Sequence, residues 1–282
     1  MKQLKYIWLL FIALNYLACS EDDHVDPSGE ELFPPRELSE IDLQLAEMFN
    51  PYNTIVEYRY IKNFIPTDWY YITPVKEELV VPMGKFLVEM WINPLITGSN
   101  QEFVGKSFPK MLIFVGSPAQ QLDGTEVLGE AEGGTLIRFT RVNDFDRNDQ
   151  GWMRRQLHTA YHEYAHIIHQ TFGMPNDFRQ VTPDEYTLNG WQTVSSNEAI
   201  IKGMVTPYGT SSVAEDFAEL FSTYITGADE VLEHLLVDTG DVEMDKGREL
   251  IRTKLFIMKK YLKSVGFNLD AVREDLQTRL NA

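Results

Sequence analysis

The length, composition and charge of the chain exclude several classes of function. With 282 residues, 44% of them hydrophobic, the chain can bury a substantial core in one large domain or two small ones. Its formal net charge of −17 would repel nucleic acid and anionic lipid headgroups, so neither is expected as a partner, and we interpret the charge as a solubility feature.

The N-terminal residues 1–18 predict an export signal. Lys2 and Lys5 form a positive start, and the apolar run that follows is too short for a membrane span. The only cysteine of the chain, Cys19, comes directly after this segment. Since a single cysteine cannot form an internal disulfide, its position is more informative than its number.

The sequence around Cys19 resembles the cleavage box of bacterial lipoproteins. Leu17-Ala18-Cys19-Ser20 follows the pattern, although Tyr16 stands where the family prefers leucine. The resemblance implies cleavage before Cys19 and anchoring in the outer membrane through several acyl chains on that residue. Ser20 resembles an outer-membrane sorting signal, and the acidic residues 21–23 resemble a tag for the surface of Gram-negative cells. An ordinary signal peptide with an incidental cysteine is the alternative.

The remaining chain divides by composition and periodicity. Residues 19–36 are acidic and contain several prolines, which predicts a flexible tether. We expect the folded domain to span 37–282. Strand-like alternation is confined to 37–150, and helical periodicity dominates 151–282, so the fold class is α+β with a small sheet followed by a helical half.

The predicted elements of the first part are short. Pro82 suits a helix start and Pro94 a helix end, because proline lacks the N–H that a helix interior requires. A strand over 135–142 could be a core strand or could border the active site and pair with an extended substrate, and both interpretations stay open. The full set is a helix from Ser39 to Asn50, a strand over 54–64, a helix from Val81 to Asn93, a buried strand over 111–115 and the strand over 135–142.

The second part is predicted to be entirely helical. Its first helix ends before Gly173, and a later one ends before Gly227. The predicted helices cover 153–172, 214–226, 229–237, 245–264 and 268–280.

The strongest functional signal is the stretch His162-Glu163-Tyr164-Ala165-His166 inside the first of these helices. Residues four apart share one face of a helix, so His162 and His166 can bind the same ion. Zinc accepts two histidine nitrogens at this spacing, and Glu163 can take a proton from the activated water. The motif therefore predicts a catalytic site for one Zn²⁺ ion.

A catalytic zinc site usually has a third protein ligand and one open position. In a metzincin that ligand is a histidine, but the positions that its motif requires as glycine and histidine hold His169 and Phe172. We therefore expect a carboxylate from a later part of the chain. The candidates are Glu185, Glu198 and Glu215.

Glu215 is the preferred third ligand. Glu185 lies in a predicted loop, and the thermolysin-type segment around Glu198 has Lys202 where its acidic residue should be. Glu215 and Glu219 lie four apart on one face of a predicted helix. One can bind zinc while the other accepts the second N–H of a ligand histidine. We predict that Glu219 has this supporting role.

The segment from Tyr208 to Glu219 resembles the zinc domain of anthrax lethal factor. There a tyrosine seven residues before the ligand glutamate assists the chemistry, and Tyr208 stands seven residues before Glu215. The resemblance implies that Tyr208 donates a hydrogen bond to the oxyanion that forms during hydrolysis. A tyrosine that packs in the turn beside Pro207 is the alternative.

The chain as a whole resembles the substrate import-associated zinc metallohydrolase lipoproteins, a gluzincin-like family of zinc-binding metallopeptidases. The similarity extends from the lipoprotein box to the C-terminal helices and includes 108–110, 115–118, 129–134 and the His162 motif. It implies a zincin-like fold and a peptide or protein substrate. It also implies a role in nutrient import with a TonB-dependent transporter and a glycan-binding lipoprotein as partners.

Two alternatives to an enzyme remain. The first is a non-catalytic lipoprotein that binds peptide or glycan, which the intact Glu163 disfavours. The second is a structural lipoprotein whose zinc supports the fold, which three rather than four well-placed ligands disfavour. His158 and His169 extend the histidine face, and we expect them to be hydrogen-bonded or solvated rather than to hold a second metal, because no separate set of carboxylates accompanies them.

Overall fold

The computed structural model describes residues 37–62, 65, 72–120, 126–127, 129–132 and 135–282. The export signal over 1–18, the lipidation site Cys19 and the tether over 19–36 lie outside the described residues, so all three stay predictions. From Glu40 to Ala282 the chain forms one unit.

Two small sheets lie in the first half of the described chain. The main sheet has the strand order β1-β2-β6-β5, in which β1, β2 and β6 run parallel and β5 pairs antiparallel with β6. Strands β3 and β4 form a separate antiparallel pair. The predicted small mixed sheet is therefore confirmed. The strands are β1 (Ile55–Glu57), β2 (Met111–Phe114), β3 (Ala119–Gln120), β4 (Glu126–Val127), β5 (Gly129–Glu132) and β6 (Leu136–Phe139).

Two expectations about the strands need correction. The strand predicted over 54–64 ends at Glu57, because the Glu57 carboxylate accepts the backbone N–H groups of Tyr58 and Arg59 and turns the chain out of the sheet. Strand β6 pairs with β2 on one side and with β5 on the other. It is a core strand, so the idea that it pairs with an extended substrate is wrong.

The described part of the first half also contains four α-helices. They are α1 (Glu40–Phe49), α2 (Glu77–Leu87), α3 (Asn93–Gly98) and α4 (Gln101–Ser107), with a π-helical turn over Val88–Ile92 that joins α2 to α3.

The helix predicted from Val81 to Asn93 is wrong at both ends. It begins earlier, where the carboxylates of Glu77 and Glu78 stabilise the N-terminal turn, so Pro82 lies inside it. It also continues through Pro94. In the π-helical turn the N–H of Asn93 donates to the carbonyl of Val88, five residues back, which lets the helix absorb the proline.

The long helix α5 (Gln150–Phe172) joins the two halves of the domain. Asp149 begins it by accepting the N–H of Trp152. One face is buried against the first half, where the Tyr161 hydroxyl donates to the Met90 carbonyl at 3.0 Å and the Tyr164 hydroxyl lies 2.7 Å from that of Ser107. The opposite face carries the histidines and is turned towards a helix of the second half.

In the described residues that follow α5 every regular element is helical, which confirms the predicted fold class. These helices are α6 (Asn176–Arg179), α7 (Ser196–Ile201), α8 (Val213–Thr226), α9 (Asp229–Leu236), α10 (Val242–Ser264) and α11 (Leu269–Leu280). Helix α8 packs along α5 and brings its glutamates to the histidine face. Ser212 begins α8 by accepting the N–H of Glu215.

Candidate metal centre

Three side chains with ligand chemistry converge where α5 faces α8. The Nε2 atoms of His162 and His166 lie 3.1 Å apart. The Oε2 atom of Glu215 lies 3.1 Å from the first and 3.2 Å from the second. The three atoms thus form a nearly equilateral triangle. The structure brings together the three side chains that the sequence predicts as ligands.

The chemistry and spacing of this triangle fit zinc. Zinc binds histidine nitrogen and carboxylate oxygen at about 2.0–2.1 Å, which places neighbouring donors of a tetrahedral site about 3.3 Å apart. The observed separations of 3.1 and 3.2 Å agree closely with that value. Three protein donors also leave one position for water or substrate, as in catalytic rather than structural zinc sites.

The electrostatics of the centre favour a cation. Burial alone would raise the pKa of Glu215, but hydrogen bonds from His162 and His166 lower it to about 2. Burial lowers the pKa of His162, yet its contacts with Glu215 and Glu219 outweigh that effect and raise the pKa to about 10. Ionised carboxylates therefore surround these imidazoles, and they attract positive charge to the centre.

Glu219 lies one turn along α8 from Glu215 and holds the first histidine in place. Its Oε1 atom lies 2.7 Å from Nδ1 of His162 and 3.2 Å from Nε2 of His158. Its Oε2 atom accepts the hydroxyl of Thr206 at 2.7 Å. The contact at Nδ1 keeps Nε2 of the same ring directed at Glu215. Glu219 thus lies where the sequence predicts a supporting carboxylate.

The two outer histidines are hydrogen-bonded rather than free. His158 contacts Glu219, and Nε2 of His169 lies 2.9 Å from Nδ1 of His166. Burial, and then the neighbouring His166, lower the pKa of His169 to about 4. A neutral His169 can accept the Nδ1 proton of His166, as Glu219 does for His162. The only sequence signal for this role of His169 is its three-residue spacing from His166 on the same helix.

Two further predicted residues border the triangle. Glu163 is buried, and its charge raises the pKa of both His162 and Tyr208. The Tyr208 ring stacks on His162 with centroids 6.0 Å apart, and the edge of Trp191 meets it at 5.0 Å. Burial, then the charge of Glu215, raise the pKa of Tyr208, so its hydroxyl stays protonated and able to donate. The contact with Trp191 and the role of Thr206 had no signal in the sequence.

The rejected ligand candidates have other roles. Glu185 pairs with Lys202 at 2.7 Å. Glu198 is exposed and forms a reciprocal cap with Ser195 at the start of α7. Neither belongs to the groups of described side chains that could hold a metal. His158, His162 and Glu219 form a second such group. Its members are held together by the contacts of the two histidines with Glu219.

Comparison with known proteins gives two matches. The family model described as "Putative zinc-binding metallo-peptidase" matches residues 35–271. The crystal structure of a protein from Bacteroides caccae, described in the same words, has a TM-score of 0.73 and 30% sequence identity, over 87% of this chain and 95% of that chain. A search of curated proteins gives no match. The residues matched by the family model include every side chain of the candidate centre.

Proposed function

The chain belongs to the zinc-binding metallopeptidase family, and on that premise we propose that it hydrolyses peptide bonds with one zinc ion held by His162, His166 and Glu215. The observation that carries the proposal is the triangle of three donor atoms 3.1–3.2 Å apart, with Glu163 beside it. A helix-borne glutamate as third ligand makes the site gluzincin-like, and the seven-residue spacing from Tyr208 supports the similarity to lethal factor.

The protein residues divide the chemistry among themselves. When bound, zinc would act as a Lewis acid that polarises the carbonyl of the peptide bond and lowers the pKa of its bound water towards about 7. Glu163 accepts the proton of the attacking water and passes it to the leaving amine. Tyr208 donates its hydroxyl hydrogen to the oxyanion. Glu219 and His169 keep the two imidazoles in the orientation that directs Nε2 to the centre.

The zinc content of the purified domain tests the ligand assignment. Wild type should carry about one zinc per chain, and Glu215→Ala should carry much less, because a catalytic site needs its third protein ligand. Glu198→Ala is the matched control, since that exposed carboxylate only caps α7. Equal zinc in wild type and Glu215→Ala would contradict the assignment.

Digestion of a peptide library separates the enzyme from the two alternatives. A peptidase should give cleavage products that disappear with a chelator and return with added zinc. A non-catalytic peptide- or glycan-binding lipoprotein, or a lipoprotein whose zinc only supports the fold, should give none. Cleavage that persists in the chelator would also contradict the proposal.

We further propose that the protein is an outer-membrane lipoprotein on the cell surface, anchored through Cys19. The lipoprotein box and the acidic residues 21–23 support this location. The resemblance to import-associated lipoproteins supports a complex with a TonB-dependent transporter and a glycan-binding lipoprotein. Replacing Cys19 with alanine should move the protein from the membrane fraction to the soluble fraction, and co-purification with the anchored protein should recover the transporter.

A further inference from the structure

A cavity of about 440 Å³, a typical volume for a small-ligand site, lies next to the side chains that hydrogen-bond Glu219. Its walls come from α5, α7, α8 and α9 and from the segment before Tyr208. His158 and Thr206 line it, and both also hydrogen-bond Glu219, which holds His162. The cavity is therefore linked to the metal centre through Glu219, and none of the three candidate ligands lines it.

The lining of the cavity combines apolar and basic groups. Val231 is exposed and Val205 is half-buried, so both supply accessible apolar surface. The ionisable side chains of the lining are two arginines and two histidines, and no carboxylate is among them. In a chain with a net charge of −17, this lining departs strongly from the average surface. The residues are Arg154, Arg155, His158 and His234.

Neither arginine forms an ion pair within the described part of the chain. Arg155 is exposed and makes no hydrogen bond or ion pair within the described part of the chain. One guanidinium nitrogen of Arg154 donates hydrogen bonds to the Thr226 carbonyl and to the side-chain oxygen of Gln277. Burial, then the charge of Arg273, lower the pKa of Arg154. An anionic group in the cavity would give Arg155 a partner and would stabilise the charged form of Arg154.

Acidic groups also act on Arg154. Asp229 and Glu230, at the start of α9, raise its pKa, but less than burial and Arg273 lower it. Asp229 is itself paired with Arg273 at 2.7 Å. The net effect of its surroundings is to lower the pKa of Arg154, so an anion bound in the cavity would stabilise its charge.

We propose that this cavity is a subsite for an acidic side chain of a peptide substrate bound at the candidate metal centre. The inference rests on the proposed peptidase function for its substrate class. A glutamate side chain combines a short apolar stem with a terminal carboxylate. The stem can contact Val205 and Val231 while the carboxylate accepts hydrogen bonds from Arg155 and Arg154.

Matched peptides test the subsite. A glutamate, or its near-isosteric glutamine, is moved through the positions on either side of the cleaved bond in an otherwise neutral fluorogenic peptide. At the best position wild type should favour glutamate by at least about tenfold in kcat/KM, the scale of one charge-assisted hydrogen bond. Arg155→Glu should abolish or reverse this ratio. Arg147→Gln is the control, since that arginine pairs with Glu89 and does not line the cavity, and it should keep the ratio.

Binding separates the subsite from catalysis. The affinities of the two peptides for Glu163→Gln are measured by fluorescence anisotropy, and the glutamate peptide should bind more tightly. Equal affinities, or equal cleavage of both peptides by wild type, would overturn the subsite. If wild type cleaves neither peptide but Glu163→Gln prefers the glutamate peptide, the subsite stands and the peptidase proposal fails.

Discussion

The imidazole of His162 on α5 lies between two carboxylates of α8: its Nε2 atom is 3.1 Å from Glu215, and its Nδ1 atom is 2.7 Å from Glu219. Because Glu215 and Glu219 are one helical turn apart, α8 both completes the donor triangle and sets the orientation of the first histidine. A shift of α8 along α5 would disturb both contacts together. The geometry of the centre therefore depends on how these two helices pack.

Glu219→Gln should weaken zinc binding about 10- to 100-fold, the usual cost of losing a carboxylate that supports a ligand histidine. Glutamine lacks the negative charge that stabilises bound zinc, while its amide oxygen can still accept a hydrogen bond from Nδ1 of His162. Competition with a fluorescent chelator measures the affinity. Glu185→Gln is the matched control, because that carboxylate pairs only with Lys202 among the described residues, and it should bind zinc as wild type does. Unchanged affinity in Glu219→Gln would contradict the orienting role.

His169→Ala should also weaken zinc binding, by about tenfold, since it removes the acceptor of the His166 Nδ1 proton. His169→Gln offers a side-chain oxygen in a similar place and should recover part of the loss. The same chelator competition gives both values. If alanine and glutamine weaken the site equally, the effect of His169 is packing rather than hydrogen bonding.

Glu163→Gln should retain zinc and lose activity by about 10²- to 10⁴-fold in kcat, because a general base is removed while the three donors stay in place. The measurement pairs metal analysis with turnover of a peptide that wild type cleaves. Parallel loss of zinc and activity would instead make Glu163 a structural residue of the centre.

Tyr208→Phe should lower kcat by about 10²-fold with little change in zinc content, the scale of one lost oxyanion donor. The phenylalanine ring can keep the stacking on His162 and the edge contact with Trp191. Steady-state kinetics check the result. A rise in KM at unchanged kcat would show that Tyr208 binds substrate but does not stabilise the transition state.

The sequence predicts which side chains converge because the geometry of the candidate centre is mostly helical. The spacing of four residues placed His162 with His166 and Glu215 with Glu219 on shared faces, and the structure then brought the two faces together. Contacts that depend on tertiary packing were not predictable. Thr206 reaches Glu219 from an irregular segment, and no periodic pattern marks it.

The two predicted elements with wrong bounds differ from the structure for local reasons. Proline usually ends a helix, so the sequence predicts too short a helix between Pro82 and Pro94, whereas burial of the segment and a π-helical turn keep the helix continuous. The strand that the sequence predicts after Thr54 is too long. Its alternating pattern does not reveal that the Glu57 carboxylate accepts hydrogen bonds from the next two backbone N–H groups. Both outcomes depend on interactions that propensity alone does not describe.

Asp216, the residue after Glu215, anchors α8 to α10 and to the segment that contains Tyr186. Asp216 is fully buried and accepts hydrogen bonds from Lys254 of α10 at 2.6 Å and from the Tyr186 hydroxyl at 2.9 Å. Burial raises the pKa of Asp216 and lowers that of Lys254, so each charge depends on the other to stay ionised.

Lys254→Met should therefore destabilise the fold by about 3–5 kcal/mol, because it leaves a buried carboxylate without its cation. Lys202→Met removes a lysine from the partly exposed pair with Glu185 and should cost at most about 1 kcal/mol. Urea unfolding of zinc-free protein measures both values without a contribution from the metal. Adding Asp216→Asn to Lys254→Met should recover much of the loss, since the uncompensated charge is then gone. A double variant no more stable than the single one would show that the two side chains act through packing and not through their charges.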